Sequence, residues 1–247
     1  MNKSDKPLAY EAYQTLADSY AANIDTKPHN AYYDRPAMLS LLPDVNGKDV
    51  FDVGCGPGAY AEALVDLGAN VVAGDVSENM LAHARKRLAS AIESENVTLI
   101  NLDLSRPLDS FSDERFDVVN APLCLDYIED WRSLFKEFER ILRPGGTFLF
   151  SCGHPDFDAE YFKTTAYFEI EQVECEWTGF GEQVVMPSFR RPLQEIIMPV
   201  IDAGLQLIQI LEPKPTEDFR RSDFFRYKNL MYRPGFLCVA ARKPELG

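Results

Sequence analysis

Apolar positions near the start of the chain recur at helical spacing. Tyr13, Leu16, Ala17 and Tyr20 share one face, which predicts an amphipathic helix, and an irregular stretch follows over residues 25–34. Pro36 suits the first turn of a short helix carrying Met38, Leu39 and Leu42. From position 49 the period changes. DVFDVG is a short apolar run ending in glycine, AEALVDLG reads as a helix stopped by Gly68, and NVVAGD returns to a strand. Ser77 then caps a helix whose Met80, Leu81, Ala84 and Leu88 lie on one face. VTLINLD, FDVVNAP and TFLFSC read as further strands, with a helix over 131–142 before the last of them. Strands that alternate with helices predict a mainly parallel sheet covered on both faces.

Residues 153–191 break this rhythm, because YFEIEQVECEW reads as an extended segment and TGFGEQ as its turn. The segment is therefore expected to be an insertion. The alternation resumes with a helix over 193–203, a strand at LQLIQIL, the polar and proline-rich EPKPTEDFRRSDFF, and a last strand at FLCVAAR.

The 247 residues suit one α/β domain over 1–247, with residues 1–45 as a helical cover and 153–191 as a lid beside the substrate. A hydrophobic share of 46% with 26% charged residues belongs to a folded globular protein. The formal charge of −14 repels a phosphate backbone and sets nucleic acid aside as the substrate. Five cysteines without a CxxC pair indicate neither a disulfide framework nor a zinc ribbon, so no metal is expected. The opening residues lack the apolar core of a signal peptide, and no apolar run approaches the ~20 residues that cross a bilayer. These features together predict a cytoplasmic protein with no membrane partner.

Chemistry concentrates at strand ends. Asp52-Val53-Gly54-Cys55-Gly56-Pro57-Gly58 falls where the first strand turns into its helix. Glycines there let backbone N–H groups approach a ligand, and the helix N-terminus behind them favours a carboxylate or phosphate. The spacing is G-x-G-x-G rather than the G-x-G-x-x-G of a dinucleotide fold, and taken alone it also reads as a tight turn. Asp75 closes the second strand, where a carboxylate takes both hydroxyls of a ribose or caps a helix. Asp103, ending the third strand, is placed to accept from an adenine amino group, with the Leu104 amide beside the ring. Three successive strand ends make one crevice.

In their order and spacing, VFDVGCGPG, VVAGDVSENML, NLDL, FDVVNAPLCLDYIEDW and LRPGGTFLFS resemble the class I S-adenosylmethionine-dependent methyltransferases over residues 49–151. The tail, LEPKPTEDF followed by YRPGFLCVAARK, is similar to a bacterial small-molecule subgroup. The resemblance implies a Rossmann-like, doubly wound, seven-stranded sheet, mostly parallel with an antiparallel last strand, plus the lid insertion. It implies methyl transfer from S-adenosylmethionine to a small-molecule acceptor, leaving S-adenosylhomocysteine. Gly54, Gly56 and Gly58, with Asp52 ahead of them, would surround the amino-acid end of the cofactor. Asp75 and Val76 would meet the ribose, Ser77 and Met80 would flank the adenosine, and Asp103 and Leu104 would meet the adenine. Asn120, Ala121 and Leu123 would line the reactive end. Tyr20 either closes over the cofactor or joins the core.

A sulfonium methyl is already activated, so the protein mainly aligns the acceptor and excludes water. A base is needed only where the acceptor must lose a proton. Asp126 and His154 are the catalytic candidates. The similar subgroup commonly shows His-Tyr where this chain has Asp126-Tyr127, so Asp126 reads as a base, a binder of a cationic acceptor or a helix cap. His154, just past the fifth strand, reads as a base or as a loop histidine bonded to its neighbours. Tyr33, Tyr127, Tyr161, Trp177 and Arg190 are expected in the acceptor pocket, whose aromatic walls suit a flat ring or a cation. The alternative for these aromatics is a second small core under a long loop. Two rival functions stand beside methyl transfer. One is a cofactor-binding sensor or scaffold without turnover; the other is a nicotinamide-dependent oxidoreductase, which the glycine spacing and NLDL oppose.

Overall fold

In the computed structural model, which describes residues 6–245, the alternating apolar runs form one seven-stranded sheet. The first five positions of the expected 1–45 cover, and the last two of the 1–247 domain, lie outside the described residues. The strands in chain order are β1 (Asp49–Val53), β2 (Asn70–Asp75), β3 (Val97–Asn101), β4 (Phe116–Pro122) and β5 (Leu142–Gly153). A separate hairpin, β6 (Glu171–Trp177) and β7 (Val184–Arg190), precedes β8 (Gln206–Leu211) and β9 (Phe236–Arg242). The order across the sheet is β3-β2-β1-β4-β5-β9-β8, with β9 antiparallel to both of its neighbours and the rest parallel.

The helices are α1 (Tyr10–Asn23), α2 (Arg35–Leu41), α3 (Ala59–Asp66), α4 (Glu78–Arg87), α5 (Ala89–Glu93), α6 (Trp131–Ile141), α7 (Pro155–Tyr161), α8 (Leu193–Asp202), α9 (Glu217–Ser222) and α10 (Phe224–Tyr232). Alternation along β5 divides the core. Phe148 and Phe150 pack with Phe116, Trp131, Phe135 and Phe138 on one face of the sheet. Leu149 points the other way, against Val50, Leu64, Val71 and Leu81. Burying each such side chain is worth ~1.5–3 kcal/mol, which is what holds the helices on the two faces. α6 shows the logic locally: Trp131, Leu134, Phe135, Phe138 and Ile141 are buried, and Asp130 caps its start by accepting the Ser133 N–H at 3.0 Å.

Three segments differ from the sequence expectation. The stretch read as irregular ends in a π-helical turn at Asn30–Asp34 that feeds α2 directly. The polar run after β8 folds into α9 and α10, because Thr216 accepts the Phe219 N–H and Asp223 accepts the Arg226 N–H as N-caps. Arg143 to Gly146 lies within β5, where pairing with β4 shifts register between Phe116 and Val118. Among the described residues no helix is long and apolar enough to cross a membrane.

Candidate active site

The chain runs from β1 outward to β3 and then returns to place β4 on the other side of β1. This reversal opens a crevice at the carboxyl ends of β1 and β4, the place where open α/β sheets bind ligands. Gly54 and Gly56 follow β1 with φ of 64° and 54°. A β-carbon on Gly54 would lie 2.5 Å from Cys124 Cβ, so only glycine lets this turn pass under the loop after β4.

Asp75 stands at the end of β2. Its Oδ2 accepts the Gly56 N–H and its Oδ1 the Ser77 N–H, each at 2.8 Å. Burial raises its pKa while these amides oppose the rise. A cavity of about 1090 Å³, counting its open mouth, lies over this point. Of the expected cofactor residues, Tyr20, Gly54, Gly56, Asp75, Val76, Met80, Asp103, Leu104 and Leu123 line it.

Asp52, Gly58, Ser77, Asn120 and Ala121 do not line it, which corrects their expected direct contact. Asp52 is fully buried, accepting from Asn120 Nδ2 at 3.0 Å, and burial pushes its pKa up to about 7. A β-carbon on Gly58 would sit 2.9 Å from Leu88 Cδ1, so this glycine serves helix packing. Ser77 caps α4 through the Met80 N–H and donates to Gln14 Oε1 at 2.6 Å. Ala121 belongs to the core.

Among the residues of this cavity that the sequence did not point to, two carry charge. Asp34 and Arg35 reach it from the π-turn and α2. Asp34 Oδ2 accepts from the Tyr60 hydroxyl at 2.6 Å, but its Oδ1 and Arg35 Nε are buried without hydrogen-bond partners. Burial pushes Asp34 up to about 6. Buried polar groups left open in this way call for a ligand that satisfies them. An acid and a base side by side suit an ammonium and a carboxylate, so the cavity fits the zwitterionic end of S-adenosylmethionine. The available signal was the Asp-Arg-Pro triplet ahead of α2.

A second cavity of about 1400 Å³, counting its open mouth, lies under the insertion. Asp126, Tyr127, Tyr161 and Trp177 line it as expected positions, together with Phe157, Asp158 and Phe180. The two cavities share Tyr13, Tyr20, Asn30, Leu123 and Tyr127 as a common wall. Within it the hydroxyls of Tyr13 and Tyr127 lie 2.6 Å apart, and Tyr20 stacks on Phe180 with centroids 4.6 Å apart. Leu123 holds a positive φ of 49°, secured by its N–H donating to Ser151 O and Oγ at 3.0 and 3.1 Å.

Three expectations fail here. His154 lines neither cavity: its Nδ1 accepts the Asp156 N–H as the cap of α7, and its Nε2 lies 3.0 Å from Glu212. Tyr33 is buried core, stacked on Phe236 and accepting the Gly235 N–H at 2.9 Å. Arg190 is 1% exposed and pinned to Glu171 and the carbonyls of Ala166 and Tyr167, so it ties down the hairpin.

A doubly wound sheet with glycines, Asp75 and Asp103 around its switch-point crevice defines a Rossmann-like enzyme class that grips an adenosine-bearing donor. Residues 51–150 match the family described as methyltransferase domain. An uncharacterized protein of Haemophilus influenzae is 30% identical, covering 98% of this chain and 96% of its own. The ubiquinone biosynthesis O-methyltransferase of Pseudomonas syringae is 32% identical, covering 73% of this chain and 80% of its own. The solved S-adenosylmethionine dependent methyltransferase of Mesorhizobium loti superposes with a TM-score of 0.69 at 27% identity, covering 89% of this chain and all of that one. The chain belongs to the class I S-adenosylmethionine-dependent methyltransferases, and methyl transfer from that cofactor is its chemistry. Family membership removes the nicotinamide and silent-sensor readings.

Proposed function

We propose that this enzyme methylates a small-molecule acceptor held under the insertion, with S-adenosylmethionine in the glycine-walled cavity. The observation that carries the reading is the shared wall at Leu123, Tyr13 and Tyr127, where two chambers abut. In this reading Asp75 accepts from the ribose hydroxyls, Asp103 and Leu104 meet the adenine, and Gly54 and Gly56 give the amino-acid tail room. Asp34 and Arg35 take its ammonium and carboxylate. The cofactor, when bound, supplies a methyl group on a positively charged sulfur. The chain's own part is to align the acceptor and keep water out, and alignment alone can supply up to ~7–11 kcal/mol of the barrier.

The net charge of −14 supports a small acceptor over a nucleic acid. Five free cysteines among the described residues support a reducing, cytoplasmic setting. Calorimetry with S-adenosylhomocysteine tests the cofactor half. Wild type is expected to bind, and Asp75→Ala to lose about 10–100-fold in affinity as a charged hydrogen-bond acceptor disappears. Unchanged binding in Asp75→Ala would remove the ribose assignment. Label from methyl-labelled S-adenosylmethionine should appear in the small-molecule fraction of a cell extract and not in its RNA or protein.

A further inference from the structure

The insertion-side chamber contains a pair of acids without an ion-pair partner among the described residues. Asp126 follows β4 and Asp158 sits on α7, yet both close on one residue, Gly153. Asp126 Oδ2 accepts the Gly153 N–H at 3.1 Å, and a β-carbon built on Gly153 would lie 2.3 Å from Asp158 Oδ2. Both carboxyls line the chamber. Among the described residues neither forms an ion pair, and Asp158 receives no side-chain hydrogen bond at all. Arg190 is committed to Glu171; Arg191, whose Nη2 donates to the Ile128 carbonyl, lends its charge to Asp126 from a distance, so the two acids share one countercharge. Burial pushes Asp126 up to about 6, and burial with the Asp126 charge beside it pushes Asp158 up to about 8. A half-buried charge gains from a partner, and two carboxyls lining one chamber gain more from one than either would alone.

The rest of the chamber fits the missing partner. Tyr161, Trp177, Phe180 and Phe157 supply aromatic walls, whose negative faces attract a cation. The basic groups of the chamber are Lys27, Arg226 and His29, the last held neutral by burial, which pushes its pKa down to about 4. Lys27 donates to the Gly179 carbonyl and lies over the Phe180 ring, and Arg226 pairs with Asp223.

We propose that the acceptor is a small arylalkyl amine, whose ammonium group is held by Asp126 and Asp158 while its ring lies among Tyr161, Trp177 and Phe180. This rests on the small-molecule reading above and names the acceptor atom as nitrogen. An ammonium has no lone pair. One N–H bond must break with its electrons staying on nitrogen, and the Asp126 carboxylate, next to Tyr127 of the shared wall, takes the proton as a new O–H. The freed lone pair would then form the new N–CH3 bond while the S–CH3 bond of the donor breaks with its electrons on sulfur, so the positive charge passes to the methylated nitrogen beside the pair.

The test is calorimetric titration of the full chain, free and loaded with S-adenosylhomocysteine, using phenethylamine, phenylethanol and phenylpropionate as shape-matched cation, neutral and anion. Phenethylamine is expected to bind at least about tenfold tighter than the other two. Asp126→Asn and Asp158→Asn should each remove most of that preference, while unchanged S-adenosylhomocysteine affinity and circular dichroism show the variants folded. Equal or tighter binding of the alcohol or the acid, absence of amine binding at millimolar concentration, or a preference that survives in both variants would overturn the proposal. Failure of S-adenosylhomocysteine to bind wild type would instead overturn the cofactor reading, and the titrations of the free chain would still judge the amine.

Discussion

Asp52 illustrates how a single buried group sets a pH response. Its carboxyl is fully buried, meets one amide donor from Asn120, and leaves Oδ2 without a partner. Desolvation therefore lifts its pKa from 3.8 to about 7. The folded protein keeps a proton there that the unfolded chain releases, so the contribution to stability is whole below the unfolded value. It is lost as pH rises through the folded one. Between about pH 4 and 7 the loss approaches ~1.4 kcal/mol per pH unit for one such group, and above that it levels off. Asp52→Asn removes this titration and keeps an acceptor for Asn120. Urea unfolding at several pH values should show wild type losing stability relative to Asp52→Asn between pH 5 and 7. Parallel curves would mean that Asp52 is ionised in the folded protein.

α1 covers the cofactor cavity, held by an apolar cluster toward the insertion and by polar contacts toward α4. Only Leu16 and Ala17 of this helix are buried. Gln14 Oε1 accepts from Ser77 Oγ at 2.6 Å and from the Asn79 N–H at 3.1 Å, and Asp18 meets His83 at 2.7 Å. A covering element whose contacts on one face are polar can loosen there without unfolding the core. Gln14→Ala removes these two hydrogen bonds to α4, of about 0.5–1.5 kcal/mol each, along with the one Gln14 Nε2 donates to Tyr10 within α1, so S-adenosylhomocysteine should leave about tenfold faster in stopped-flow experiments. The melting temperature of the free protein should move little. Elements like this also show what a sequence conceals. The sheet, the G-x-G-x-G turn, Asp75 and Asp103 were legible because strand period, glycine and strand-end acids are local signals. α9 and α10 were not, since Thr216 and Asp223 act as caps yet look like loop residues in a polar run. Tyr33 and Arg190 were misplaced because their partners, Gly235 and Glu171, lie far along the chain and no periodicity announces them. His154 was misplaced for a local reason: α7 turns the histidine toward its own cap and carries Asp158, which the sequence did not single out, over Gly153.

The molecule as a whole couples its stability to the crevice, because β2, β4 and the turn after β1, with α1 and α2, all contribute walls to one cavity. Unfolding any of these elements destroys the binding site, so a ligand that occupies it draws the entire domain toward the folded state. Binding to the native state alone adds RT ln(1 + [L]/Kd), which is ~2.7 kcal/mol at a hundredfold excess over Kd. For a domain of this size each kcal/mol moves the melting temperature by roughly 2–4 °C, so saturating S-adenosylhomocysteine should raise it by about 5–10 °C. NADH, whose pyrophosphate asks for a G-x-G-x-x-G turn that this chain lacks, should leave it unchanged. Differential scanning calorimetry reads both outcomes. Because Asp75 and the Gly54 turn belong to the same wall, Asp75→Ala should keep the free protein's cooperative melt while abolishing most of the S-adenosylhomocysteine shift. A full shift in that variant would place the cofactor outside the crevice between β1 and β4.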